Sequence, residues 1–321
     1  MDTFPVIVDA LSAQGRGNLA VRLVAASGGE LPPFDAGAHI DVHLAKAGVI
    51  RQHSIASPSH ERDHYLLCIK LEAASRGGSA YVHEQLRVGD LLNVSLPRNL
   101  FKLQDGSRHL LVAGGIGITP LVSMAESLEQ TATPFELHYY VRERPDTAFK
   151  ARWAKGFSYG SIRVHSSTDG DSARNDVPAA LRMPTDASQL YLCGPDGFMR
   201  HLAQSALDLG WQSSAIHQEA FGAAVAQAEV ASESFQVMLA SSGQVFDIPC
   251  ERTIASVLME GGVAVSLSCE MGICGACLTT VLEGQIDHRD TVQTDAEKSA
   301  AQQQIALCCS RGRTSRIVID L

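Results

Sequence analysis

Three cysteines fall within nine residues of the sequence: Cys269, then Cys274, then Cys277. An adjacent pair, Cys308 and Cys309, follows about thirty residues later. A Cys-x4-Cys-x2-Cys loop with a fourth cysteine at that distance is the spacing that wraps a plant-type [2Fe-2S] cluster. Gly272, Gly275 and the small Ala276 keep the loop free of bulk, so backbone N–H groups can turn inward toward sulfur. A closed zinc site is the competing reading, but such sites are usually built from two Cys-x2-Cys knuckles, and this loop is not. The fourth ligand is Cys308 or Cys309. Neighbours on an extended strand face opposite sides, so only one of the two is expected to serve. Cys68, Cys193 and Cys250 read as small buried hydrophobes.

A cluster loop occupies only the end of a 321-residue chain. At about 100 to 200 residues per domain, that length predicts two or three compact units. With 45% hydrophobic and 19% charged residues, disorder, collagen and coiled coil are excluded for the whole. A formal charge of -9 argues against a nucleic-acid partner, because phosphate contacts need clustered Lys and Arg. No basic stretch followed by an apolar run opens the sequence, and no apolar run is long enough to span a bilayer. The expectation is a cytoplasmic chain in a reducing compartment, without a membrane partner.

The pattern along the chain changes twice. Short strands are predicted at Phe4 to Ala10, Asn18 to Ala25, His39 to Leu44, Ile50 to Ala56, Tyr65 to Leu71 and Leu91 to Leu96, with one helix near Ser79 to Leu86. Regular short strands suggest an antiparallel barrel. From His109 strands alternate with helices: strands His109 to Ala113, Glu136 to Val141, Ser161 to Ser166 and Gln189 to Cys193; helices Thr119 to Gln130, Thr147 to Lys155, Val177 to Arg182 and Asp196 to Leu209. That alternation describes a parallel sheet covered on both faces, with a nucleotide site at the carboxyl ends of its strands. Gly222 to Ser234, rich in Ala, Gln and Glu, reads as a linker. Beyond it come strands Phe235 to Ala240 and Gln244 to Pro249, a helix from Thr253 to Glu260, and a last strand from Arg316. The predicted fold is therefore multidomain: an antiparallel β-barrel domain (1–103), an α/β nucleotide domain (104–225), a linker (226–234) and an α+β, β-grasp ferredoxin-like domain around the cysteine loop (235–321).

Five stretches carry a resemblance to a known family: CEMGICGACLTTVLEGQIDHRD, ALCCSRGRTSRIVIDL, VAGGIGITP, SRGGS and RQHS. The sequence resembles the phthalate dioxygenase reductase family over essentially its whole length, in the order flavin, NAD and ferredoxin domain. The resemblance implies Cys269, Cys274, Cys277 and Cys308 as iron ligands, the last because the cysteine two residues before Ser-Arg is the family's ligand.

It also implies an FMN site at Arg51, His53 and Ser54, together with Arg76, Gly77, Gly78 and Ser79. Glycines leading into a helix start present N–H groups to a phosphate, and arginines add charge-assisted bonds. No second element for an adenylate is visible, so FMN is favoured over FAD. His53 stands where the family has Tyr, and an imidazole offers the flavin less contact area and can titrate near neutral pH. For NADH, the resemblance points to Gly115, Gly117 and Thr119 in the turn after a buried strand, with Thr119 able to cap the next helix and Pro120 at its first position. It adds Cys193, Gly194 and Pro195, Arg142 with Ser166 and Ser167 on the ribose and adenine side, and Phe221 in a Glu-x-Phe stretch against the flavin. Thr119, Cys193 and Phe221 are assigned to the place of hydride transfer.

These parts imply an electron path. NADH yields two electrons as a hydride, a [2Fe-2S] cluster accepts one at a time, and FMN mediates between them. The expected function is the reductase component of a Rieske-type oxygenase system, working as a monomer. A stand-alone NADH:acceptor flavoreductase and a non-enzymatic iron–sulfur carrier are the alternatives. From Ser232 to Leu321 there are 11 Asp and Glu against 6 Lys and Arg, an acidic balance suited to steering a basic partner.

Overall fold

The computed structural model describes residues 3–73, 77–221, 234–267, 270, 272, 275–290 and 292–321. The chain divides into two compact units, 1–221 and 222–321.

The first unit begins with six strands: β1 (Thr3–Ala13), β2 (Asn18–Ala25), β3 (His39–Leu44), β4 (Val49–Ser54), β5 (Tyr65–Lys70) and, after the helix α1 (Gly78–Glu84), β6 (Leu91–Ser95). They form one antiparallel sheet in the order β4-β3-β6-β1-β2-β5. The two edges approach each other just past β4, where the Ala56 N–H donates to the Leu66 carbonyl at 2.7 Å. The sheet is thus nearly a barrel. Alternation fills it: Ile40, Val42 and Leu44 face a core shared with Val6, Val8, Leu23, Tyr65 and Leu67, and α1 adds Tyr81 and Val82.

A parallel sheet follows within the same unit. Its strands are β7 (Arg108–Gly114), β8 (Phe135–Val141), β9 (Gly160–Ser166), β10 (Ser188–Cys193) and β11 (Ile216–Glu219), and its helices are α2 (Ile118–Gln130), α3 (Lys150–Trp153) and α4 (Asp196–Asp208). The order is β11-β10-β7-β8-β9, every neighbouring pair parallel. Both faces are buried. Leu111, Ala113, Leu137 and Tyr139 pack with α2 on one side, while Leu110, Val112, Leu190 and Leu192 pack with α4 on the other. The chain reverses its winding between β7 and β10, and the crevice beyond their carboxyl ends is where such sheets bind ligands.

The second unit carries β12 (Phe235–Leu239), β13 (Val245–Ile248), α5 (Ile254–Glu260), β14 (Leu278–Glu283), β15 (Ile286–Asp287), β16 (Gln304–Ala306), β17 (Arg311–Gly312) and β18 (Arg316–Ile319). Five strands form a mixed sheet ordered β13-β12-β18-β14-β16, and β15 pairs with β17. Thr253 caps α5, its side chain accepting from the Ser256 N–H at 3.1 Å, and Ile254, Ala255 and Leu258 seal the sheet face. Among the described residues no helix is long and apolar enough to cross a membrane.

The three architectures expected from the sequence are present, with local corrections. The helix expected from Thr147 to Lys155 is only Lys150–Trp153, because Phe149 sits at φ 57 and breaks helical geometry before it. Residues 179–182 form a 3-10 turn. Cys250, expected to be buried, is exposed. Most of the predicted linker, 222–233, lies outside the described residues.

Candidate functional site

The turn after β7 and the end of β10 approach so closely that only glycine fits between them. A Cβ on Gly117 would lie 2.2 Å from the Cys193 carbonyl oxygen and 2.7 Å from the Gly194 nitrogen. A Cβ on Gly194 would lie 2.9 Å from the Gly114 Cα. Gly115, at φ +57, instead faces open space with nothing within 4 Å of its Cβ position. This is the cradle a dinucleotide needs: backbone on its floor and room above it. Helix α2 begins at Ile118, so Thr119 lies inside the first turn and its hydroxyl donates to the Ile116 carbonyl at 3.1 Å; it is not the expected cap. Pro120 is correspondingly the third helical residue. Pro195 is the N-cap of α4 and stands exposed beside Gly114. Arg142 is exposed just past the end of β8.

The end of β4 meets this crevice. Ser54 is buried, and its hydroxyl donates to the Glu219 carboxyl at 3.4 Å. Glu219 closes β11 in register with Cys193 of β10. Burial pushes the Glu219 carboxyl up to about 8, and burial together with Glu219 raises the Cys193 thiol well above its usual range. Both groups are therefore mainly uncharged at neutral pH. Phe221, two residues on, packs against the core that holds Cys193 and Ala56.

Further back along β4, the Arg51 side chain crosses Gly78 at the start of α1, its Cγ 2.8 Å from where a Cβ would be. Gly77 takes φ +92 with open space around it. These residues fit a phosphate-bearing flavin: a cation, two glycines and a helix start converge where a side chain would intrude. The Ser79 hydroxyl accepts from the Glu72 N–H at 3.2 Å. Arg76 lies outside the described residues. His53 corrects the expectation of near-neutral titration: burial and the neighbouring Arg51 push its imidazole down to about 4, so it is neutral at pH 7.

In the second unit Cys277 and Cys308 are buried, and the Cys308 thiol interacts with the Cys277 and Cys309 thiols and with the Gly272 N–H. Cys269 and Cys274 lie outside the described residues. Cys308 and Cys309 sit in a turn after β16, not on a strand, so the argument from alternating faces does not apply to them. The Cys309 thiol packs toward Ser310, 3.8 Å from its Oγ, and toward Gly272, whose absent Cβ would be 2.5 Å away. Gly272 and Gly275 both take φ +74, a conformation glycine adopts without strain. A set of clustered, buried thiols opposite a backbone N–H suits an iron–sulfur cluster.

Glu219 is the residue that motif reading passed over. Its stretch was visible, but its pairing with Cys193 depends on β11, a four-residue strand with no alternating pattern to announce it.

Comparison with known proteins agrees with this geometry. Residues 237–311 match the 2Fe-2S iron-sulfur cluster binding domain. The chain is 42% identical over 318 residues to a vanillate O-demethylase oxidoreductase from a Pseudomonas species, covering 98% of this chain and 99% of the relative. Its fold superposes on phthalate dioxygenase reductase, described as a modular structure for electron transfer from pyridine nucleotides to [2Fe-2S], with a TM-score of 0.75, 34% identity, and coverage of 99% and 98% of the two chains. The chain belongs to the phthalate dioxygenase reductase family. Like other members it is an oxidoreductase component of an oxygenase system. A similar module occurs within a type IV self-sufficient cytochrome P450 monooxygenase, with a TM-score of 0.82 and 34% identity over 99% of this chain and 41% of that one.

Proposed function

We propose that this chain is the NADH-dependent reductase of a Rieske-type oxygenase system, acting as a cytoplasmic monomer and delivering electrons to a separate oxygenase. Its cofactors are FMN, a [2Fe-2S] cluster and NADH. The observation that carries the reading is the meeting of Ser54, Cys193 and Glu219, which joins the end of barrel strand β4 to the switch-point crevice of the parallel sheet. The residues at Arg51, Gly77 and Gly78 would hold FMN, which when bound would supply the chemistry that links a two-electron hydride to one-electron transfer.

The protein positions and insulates. Gly115 and Gly117 admit the dinucleotide backbone, and Thr119, buried in the first turn of α2, holds that turn closed. Arg51 with Gly77 and Gly78 holds the flavin phosphate; Arg76 completes that loop in sequence. Ser54 and the mainly protonated Glu219 line the place of transfer without a fixed charge, so no strong base competes there for a proton. Phe221 guards the same point and yields to nicotinamide. Arg142 serves the adenosine side. In the second unit Cys269, Cys274, Cys277 and Cys308 hold the cluster.

Analysis of the purified protein's extracted cofactors tests this. FMN together with iron and acid-labile sulfide is expected; FAD in place of FMN, or zinc in place of iron, would overturn it.

A further inference from the structure

A buried chain of polar side chains runs across β8 and β9 on the face opposite α2. His165 Nδ1 lies 2.8 Å from Asp171 Oδ1, and His165 Nε2 lies 2.9 Å from His138 Nδ1. At the far end, His138 Nε2 stands 3.6 Å from Glu136 Oε2, beyond hydrogen-bond reach. The His165 ring stacks on Tyr140 with centroids 4.1 Å apart and planes 7° from parallel. Both histidines are nearly excluded from solvent.

The chemistry of the donors fixes the direction of this chain. Ionised Asp171 can only accept, so His165 must donate from Nδ1. A neutral His165 then offers a lone pair at Nε2, and His138 must donate to it from Nδ1. Burial lowers the proton affinity of both imidazoles, consistent with one proton on each ring. Two hydrogen bonds therefore point the same way and end on Asp171, whose partly exposed carboxylate also accepts from Arg163 Nη2 at 3.4 Å on its other oxygen.

Asp171 belongs to the segment 167–176 that follows β9 and borders the carboxyl ends of the sheet. That segment is also tied to the strand ends by Thr168 N–H to the Arg142 carbonyl at 3.1 Å, Asp171 N–H to the Ser166 carbonyl at 3.2 Å, and Arg144 to Asp169 at 2.6 Å. The histidine chain reaches from this rim into the core, alongside buried Ala173, whose carbonyl accepts from His201 Nε2 at 2.9 Å.

We propose that His165 and Asp171, backed by His138, are positioning residues that hold segment 167–176 at the adenosine end of the crevice and so set the affinity for NADH without touching it. This rests on the reading of that crevice as the nucleotide site. The test is steady-state kinetics of the cofactor-loaded protein with NADH and ferricyanide as acceptor. Asp171→Ala, on the surface side of the chain, should raise KM for NADH about tenfold, as expected when a hydrogen bond to a charged acceptor is lost, and leave kcat unchanged. Asp171→Asn keeps an oxygen acceptor and should restore most of the affinity. His165→Phe keeps a ring against Tyr140 but removes both hydrogen bonds; combined with Asp171→Ala it should be no worse than the larger single effect. An unchanged KM in Asp171→Ala, or a loss confined to kcat, would overturn the proposal. A wild-type protein that shows no saturation with NADH would instead remove the nucleotide site on which it rests.

Discussion

At the residue scale, the chain places titratable groups where their protonation can be read. Glu219 carries its proton up to about pH 8 in the folded protein, whereas the unfolded chain releases it near the ordinary value of 4.5. Between those values folding retains a proton that unfolding releases. Stability is therefore expected to fall as pH rises through that window, with a slope of at most about 1.4 kcal/mol per pH unit. Glu219→Gln cannot ionise and should lose this slope, becoming the more stable form at the alkaline end; urea midpoints of both proteins at about pH 5.5 and about pH 8 check it. The cysteine pair gives a second residue-scale prediction. Cys308 is buried against Cys277, while the less buried Cys309 touches both the Cys308 thiol and Ser310. Cys308→Ser should lose iron and the cluster's visible absorbance, and Cys309→Ser should keep both. Cluster loss in Cys309→Ser would reverse the ligand assignment.

At the scale of elements, the decisive feature is the junction where the turn after β7 touches the end of β10. Gly117 has an ordinary φ of -60, so alanine there meets no backbone strain of its own. Its Cβ would instead strike the Cys193 carbonyl, which cannot move without dragging β10. Gly117→Ala is expected to cost about 1 to 3 kcal/mol in overpacking and to raise KM for NADH at least about tenfold. Thermal unfolding and an NADH titration would measure the two effects; unchanged values would mean that the turn has slack the structure does not display. Elements with strong periodicity or an apolar run were legible in the sequence: β2 and β3 fall where alternation places them, and β7 carries the apolar run Leu110 to Ala113 leading into glycines. The strands that escaped, β11 and β14 to β17, are mostly short and owe their conformation to partners distant in sequence. Helix α3 was over-read because its pattern continues through Phe149, whose left-handed backbone is tied to Gln14 by a hydrogen bond that local sequence does not contain. The glycine motifs were legible as motifs. The meeting of Ser54 with Glu219 was not, since it joins residues 165 positions apart.

At the scale of the molecule, three carriers correspond to three architectures on one chain. The unit holding the cluster is acidic from Ser232 onward, with 11 acidic against 6 basic side chains. If that charge steers a basic oxygenase surface, electron delivery to the oxygenase should slow as salt rises through the range where the screening length falls to about 8 Å and below. Rates independent of ionic strength would assign the charge to solubility alone. If NADH electrons pass through the flavin to the cluster within this single chain, both chromophores must respond to NADH alone. The most direct measurement is the visible spectrum of the purified protein under anaerobic conditions, before and after NADH. Flavin and iron–sulfur absorbance are expected to bleach together without any added protein; a flavin that is reduced while the cluster stays oxidised, or a spectrum with no flavin at all, would contradict this path.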